Sequence, residues 1–444
     1  MKLFFLFFIS FIFNSFCEFV IEWKRLLNNS VSDETIFYNL INNIILFDIQ
    51  VGSKKEKISF QIIFNEYAFT LIGSDTETSI KTYNYKESKS YKNISDIKSY
   101  YFSFFKECYQ STENFIINDK KINNLKFVLT TKLDEFFDDF LVTQTGYFGL
   151  QISPRSLADD LKDFAIIKQL KANKVIPSYT FKIVYDNKNK DLNDNGKIVL
   201  GEKDYEKNFL NQFITIKAQI FSSHLEWGFS TDKVTYGDIE VKAFQNLVKF
   251  CIENAAILGT DKFHDIVFEE FFNDTINDNI CFKKEIYPFI IYYCNKDVDI
   301  SNFKDLNFEL KDINVTFSFN KNDLFYTEGN YKYFLVVFSI KSTDWIFGRP
   351  FFKKYGDNFI FDHDKKLMAM YINGKNNSEE KKSNFVKKFF IFIFLIIIIA
   401  LIIYIINYYL KNKRNRKKAF LIEDNYEYNS QDDYKNTVSN LLLN

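Results

Sequence analysis

Trp345-Ile346-Phe347-Gly348, then Phe351-Phe352-Lys353-Lys354-Tyr355, then Phe359-Ile360-Phe361-Asp362, is the stretch on which the reading of this chain turns. Short apolar runs alternate there with glycine and charge, the mark of short strands. The same pairing of an apolar run with glycine recurs at Tyr147-Phe148-Gly149-Leu150, and glycines bound both ends of Gly196-Lys197-Ile198-Val199-Leu200-Gly201. Further out, apolar runs at 44–51 and 58–64 flank Gly52-Ser53-Lys54-Lys55, a hairpin signature. Runs at 115–117 and 125–130 flank Asn118-Asp119-Lys120-Lys121 in the same way. More strands are read at 179–185, 234–241, 247–258, 289–293 and 308–319, and helical spacing covers 156–172. Many short strands with few helices predict an all-β ectodomain. With only 4 prolines and 13 glycines, turns must rely on Asn, Asp and Lys, and Asn tolerates positive φ best of these.

The 444 residues suffice for two or three domains, and 47% apolar with 26% charged residues allows a large core. The 54 Phe and 27 Tyr favour β-structure. Acidic and basic residues balance at 57 each, which gives no reason to expect nucleic-acid binding. Residues 1–17 read as a signal peptide: Lys2, an apolar run from Leu3 to Phe13, and cleavage expected near Cys17 or Glu18. That run is well short of the ~20 residues that span a bilayer. The following segment, 18–43, reads as short and mixed, with no strand. A polar stalk at 373–388 leads to a predicted transmembrane helix at 389–409, with Tyr404, Tyr408 and Tyr409 as an interfacial belt. The basic cluster Lys411-Asn412-Lys413-Arg414-Asn415-Arg416-Lys417-Lys418 acts as a stop-transfer signal and puts the tail, 410–444, in the cytosol. The expectation is a single-pass type I membrane protein of the secretory or endomembrane system or the cell surface, its bulk lumenal or extracellular.

Such a compartment permits disulfides. Cys281–Cys294 is the expected pair, a local loop staple, while Cys108 and Cys251 either pair or stay reduced. Glycosylation acceptors are expected at Asn28, Asn93, Asn273, Asn314 and Asn376. The three histidines, His224, His264 and His363, are isolated and read as surface or edge residues. The sequence has no metal-ligand cluster, Gly-rich phosphate loop or Gly-x-Ser-x-Gly, so no metal and no cofactor is expected.

The stretch 345–371 closely resembles the closing strands of pepsin-like aspartic proteases, whose pattern is W-I-L-G-D-x-F-L-R-x-Y-Y-x-V-F-D. Leu46-Phe47-Asp48-Ile49-Gln50-Val51-Gly52 resembles the family's opening Y-x-G-x-I-x-I-G, and Phe60-Gln61-Ile62-Ile63-Phe64 resembles the strand feeding the first active-site loop. Tyr147-Phe148-Gly149-Leu150 and Ile346-Phe347-Gly348 are similar to the hydrophobic-hydrophobic-glycine strands of the two lobes. Residues 196–201 resemble the G-x-I-x-F-G strand leading into the sheet between lobes. The match covers roughly residues 36–372. It implies a bilobal pepsin-like fold, with an N-terminal lobe at 36–178, a C-terminal lobe at 179–372, and an inter-lobe cleft that takes a polypeptide ligand.

In that family each lobe carries an Asp-Thr/Ser-Gly loop. The two carboxylates share a proton, one acting as base toward water and the other as acid toward the substrate carbonyl. Laid onto this chain, the resemblance puts Asn65 and Ile252 at the two catalytic positions, Tyr67 and Asn254 at the turn glycines, and Ala68, Ala255 and Ala256 at orienting hydroxyls. Neither an amide nor an aliphatic side chain exchanges a proton. The implied function is non-catalytic peptide or protein binding. One alternative is an active aspartic endopeptidase with displaced acids, drawn from Glu66 and Glu253 or from Asp75-Thr76-Glu77-Thr78-Ser79. Another is a cell-surface structural or adhesion protein. Tyr101 stands at the flap tyrosine, although the family's Gly-Thr-Gly is absent there. Lys24-Arg25 has the form of a processing site, but the basic prosegment of active members is missing.

Overall fold

The computed structural model describes residues 19–25, 45–64, 66–76, 81–97, 105–133, 145–152, 163–186, 195–202, 213–221, 224–242, 246–339, 343–371 and 399–414. These residues are mostly β, as expected. Two compact units are distinguished, 1–374 and 375–444.

Alternation builds the strands. Ile45, Phe47, Ile49 and Val51 point inward from the strand Ile45–Val51, and Ile58, Phe60 and Ile62 do so from its partner Glu56–Ile63. The turn between them needs left-handed backbone, supplied by Gly52 at φ 79° and Lys55 at φ 54°. The expected second hairpin runs from Phe105–Ile117 into Lys120–Leu133. Its two-residue turn has Asn118 and Asp119 at φ 47° and 61°, matching the type I′ geometry that suits twisted strands.

The larger sheet has 13 strands. From one edge it runs through Phe213–Lys217, Leu367–Tyr371, Phe359–Asp362, Thr180–Tyr185, Gly196–Leu200 and Phe19–Arg25. It continues through Ile45–Val51, Glu56–Ile63, Gly146–Gly149, Phe69–Ile72, Lys120–Leu133 and Phe105–Ile117 to Lys92–Ile97. A second sheet of nine strands is drawn from Gly228–Ser230 onward to Trp345–Phe347. One contiguous apolar cluster takes side chains from both, from Phe19 to Met368.

The sequence reading missed the strand Phe19–Arg25. It pairs with Gly196–Leu200 and with Ile45–Val51 in the middle of the large sheet, and buries Phe19, Ile21 and Trp23. Its alternating pattern is short and abuts the apolar leader, which hides it from a window-based reading. The run read as one strand at 247–258 is two, Leu247–Phe250 and Ile257–Gly259, separated by a loop. Of the helix expected at 156–172, the described part is Ile166–Ala172, and 153–162 lie outside the described residues.

The expected disulfide is present: Cys281 and Cys294 face each other across the hairpin of Cys281–Ile286 and Phe289–Asn295. Cys108 and Cys251 remain buried thiols. In the second unit residues 399–414 form a helix with exposed Ile399, Leu401, Ile402, Ile403, Ile405 and Ile406. Among the described residues no helix is long and apolar enough to cross a membrane, and 389–398 of the expected span lie outside them. The expected signal segment, the stalk and residues 415–444 of the tail also lie outside them.

Candidate functional site

The same strand arrangement occurs twice. Gly146–Gly149 lies between two flanking strands, parallel to Glu56–Ile63 and antiparallel to Phe69–Ile72. Trp345–Phe347 lies between Leu247–Phe250 and Ile257–Gly259 in the same two senses. The outer strand is continued alike, since Phe69–Ile72 runs parallel to Lys120–Leu133 and Ile257–Gly259 parallel to Val336–Ser339. Register agrees as well. Tyr147 pairs with Gln61 and Thr70, while Ile346 pairs with Lys249 and Leu258, the same separation in both halves. The two connecting loops therefore have equal length and correspond residue by residue. Phe64 matches Ile252, Glu66 matches Asn254, and Ala68 matches Ala256.

A glycine ends the central strand in each half, and close approach explains it. A Cβ on Gly149 would lie 2.4 Å from the Glu66 carbonyl oxygen and 2.6 Å from that of Ala68. On Gly348 it would lie 2.3 Å from the carbonyl oxygens of both Asn254 and Ala256. These backbone contacts are what holds each loop against its strand, and they confirm the loop correspondence independently of the ladders.

The two loops touch. The Phe64 N–H donates to Glu253 Oε1 at 2.7 Å, and the Cys251 thiol donates to Glu253 Oε2 at 3.0 Å. The Glu253 carboxylate thus accepts from both loops. Burial, followed by the neighbouring Glu253 charge, pushes the Cys251 thiol well above its ordinary range. A sulfur held as the thiol is no nucleophile. Ile252 is fully buried, and Phe64 packs its ring 5.4 Å from Phe361, 5.6 Å from Phe352 and 5.8 Å from Phe181. The matched positions Phe64 and Ile252 are therefore both apolar and both inside the core, surroundings that disfavour charge.

More bonds tie this region together. Trp227 Nε1–H donates to the Leu150 carbonyl at 2.7 Å, and His363 Nε2 lies 3.1 Å from the Gln151 carbonyl. Gln151 N–H donates to the Glu66 carbonyl at 2.9 Å, and Arg349 N–H to that of Asn254 at 2.9 Å. Arg349 is buried. His363 is also buried, at 3% exposure, which overturns its reading as a surface or edge residue. Burial lowers its pKa to about 4. Isolation in sequence hid it, because the partners Gln151, Tyr67 and Trp227 come from distant segments.

Among the expected site residues, Asn65 and Tyr101 lie outside the described residues; Tyr101 falls in the link between Lys92–Ile97 and Phe105–Ile117. Asp75 sits in an exposed turn, accepting from the Tyr85 hydroxyl at 2.7 Å and pairing with Lys86 at 2.6 Å. The Lys86 ammonium is the first cause holding its carboxyl below the usual range. Asn93, Asn273 and Asn314 are exposed, Asn314 at a left-handed turn with φ 51°. Asn28 and Asn376 lie outside the described residues. Among the described residues no group of three or more His, Cys, Asp or Glu is arranged to hold a metal ion.

No protein-family model matches this chain, and no curated protein matches it.

Proposed function

We propose that the first unit is a pepsin-like bilobal scaffold without peptidase activity, which binds an extended polypeptide between its two loop-bearing halves. The observation that carries this reading is the duplicated strand–loop–strand arrangement, whose corresponding loop positions are the buried, apolar Phe64 and Ile252. An acid pair needs two carboxylates in matched positions sharing a proton. Here none of the matched pairs Phe64–Ile252, Asn65–Glu253 and Glu66–Asn254 offers two. Displaced acids are disfavoured as well, because Glu253 already accepts from the Phe64 N–H and the Cys251 thiol. A polypeptide would be held by main-chain pairing and side-chain pockets rather than cut.

A membrane anchor belongs to the same proposal. Residues 389–398 are almost wholly apolar and run into the exposed apolar helix at 399–414, ahead of the basic cluster. Tethering of this kind would keep the scaffold at a membrane face, with its ligand on the lumenal or outer side.

The test uses full-length protein in neutral detergent with a library of extended peptides at acidic and neutral pH. The expected result is saturable binding of some members with every peptide recovered intact. Pepstatin-sensitive cleavage that disappears in a Glu253→Gln variant would refute the proposal in favour of an active enzyme. Binding confined to the outer faces, mapped by cross-linking, would point instead to an adhesion role.

A further inference from the structure

We propose that His363 is an acid-operated latch: at low pH its imidazole takes a proton by turning out to water, and the segment Leu150-Gln151 loses the side chain that holds it at Gln151. The geometry comes first. A carbonyl only accepts, so the bond to the Gln151 oxygen requires the proton on Nε2 and leaves Nδ1 bare. Nδ1 is buried and has no hydrogen-bond partner among the described residues. A second proton would therefore create a buried N–H with no partner beyond the residue's own backbone, and a cation beside apolar rings; the Nε2–H bond to Gln151, which favours the cation, offsets only part of that cost. The Trp227 and Tyr67 ring centroids lie 6.3 and 6.1 Å away.

The surrounding charges offer little relief. On the helix Ile166–Ala172, the Lys168 ammonium opposes a positive imidazole. From the loop after Glu56–Ile63, Tyr67 contributes only a neutral phenol, its pKa pushed up to about 12 by burial and then by Asp163. Asp362, on the same turn as His363, favours the cation, but its Oδ1 already accepts from the N–H groups of Asp364 and Lys365. The backbone of His363 is anchored separately, its N–H donating to the Tyr179 carbonyl at 3.0 Å. The cost of a buried cation is therefore relieved when the His363 side chain turns out to water, which gives up its bond to the Gln151 carbonyl. That segment is hydrogen-bonded to the first loop through Gln151 N–H and Glu66, so its release loosens the candidate site directly.

The sign follows from linkage. The latched imidazole titrates at about 4, whereas an opened one returns to the ordinary value near ~6.5. Above that value both forms are neutral and the latch has its full strength. As pH falls from ~6.5 toward about 4 the open form binds the proton first and is favoured up to tenfold per unit. Below that window both forms are charged and the effect saturates, at roughly 100-fold or more in the opening equilibrium. The proposal stands whether or not the scaffold binds polypeptides.

The test is hydrogen–deuterium exchange on the full chain in neutral detergent from pH about 7 to about 4, corrected for intrinsic exchange and read on peptides covering Leu150-Gln151 and Phe64. Wild type is expected to lose protection there by about 100-fold across the window. In His363→Gln, whose side chain stays neutral, the step should vanish. Lys168→Gln removes an opposing charge from an exposed position and should move the step to higher pH without threatening the fold. A flat wild-type profile, an unaltered step in His363→Gln, or an unmoved midpoint in Lys168→Gln would each overturn the latch.

Discussion

Glu253 shows how one side chain changes the meaning of a loop. Its carboxylate is an acceptor for the backbone of the other loop and for the thiol of its own, so it works as a clasp. Removing it in Glu253→Ala would leave the Phe64 N–H unsatisfied and should cost about 1–3 kcal/mol in denaturant unfolding. Glu253→Gln, whose amide oxygen still accepts, should cost less than half of that. An alanine variant as stable as wild type would show that the clasp carries no weight. Introducing acids is the complementary trial. Phe64→Asp with Ile252→Asp would bury one carboxylate among Phe181, Phe352 and Phe361 and a second at the fully buried position 252, and is expected to lose several kcal/mol rather than gain activity. A stable, peptide-cleaving double variant would contradict the reading of these positions. That Ile252 carries no acid was legible from sequence alone, because an aliphatic side chain has no titratable form. For the other position the linear alignment points to Asn65, while the ladders match Ile252 with Phe64 and Asn65 with Glu253. A single-residue offset is invisible until hydrogen-bond register is known.

Among the elements, the two closing glycines are the points where strand meets loop. Gly149→Ala and Gly348→Ala each drive a methyl into backbone carbonyls that cannot step aside, and about 2 kcal/mol or more of destabilisation is expected from thermal melts. Equal penalties in the two halves would fit their matched geometry, whereas a neutral result at either would break the correspondence. The first strand gives a sharper trial. Trp23 is buried against Gly196, where an added Cβ would come 2.3 Å from the indole, so Trp23→Ala should cost about 3–5 kcal/mol. Reducing Cys281–Cys294, which closes a sequence separation of 13, should cost about 3 kcal/mol and lower the melting temperature. Turns were the most legible elements. Every described non-glycine residue at positive φ is Asn, Asp or Lys, as the scarcity of Gly and Pro requires. The strand Phe19–Arg25 was not legible, because its value lies in a partner, Gly196–Leu200, far along the chain.

For the molecule as a whole, local pattern and long-range closure answer different questions. Period-two alternation, aromatic content and turn chemistry determined by themselves that this chain is mostly β, and the short spacing of Cys281 and Cys294 pointed to a local staple, since those signals need only neighbouring residues. The tertiary structure alone decided that the two loops share one register, that Glu253 reaches the backbone of Phe64, and that His363 is buried against Gln151 and Trp227. Each of those facts joins segments far apart in sequence. Such contacts depend on how the sheets close on a common core, which no window along the chain contains.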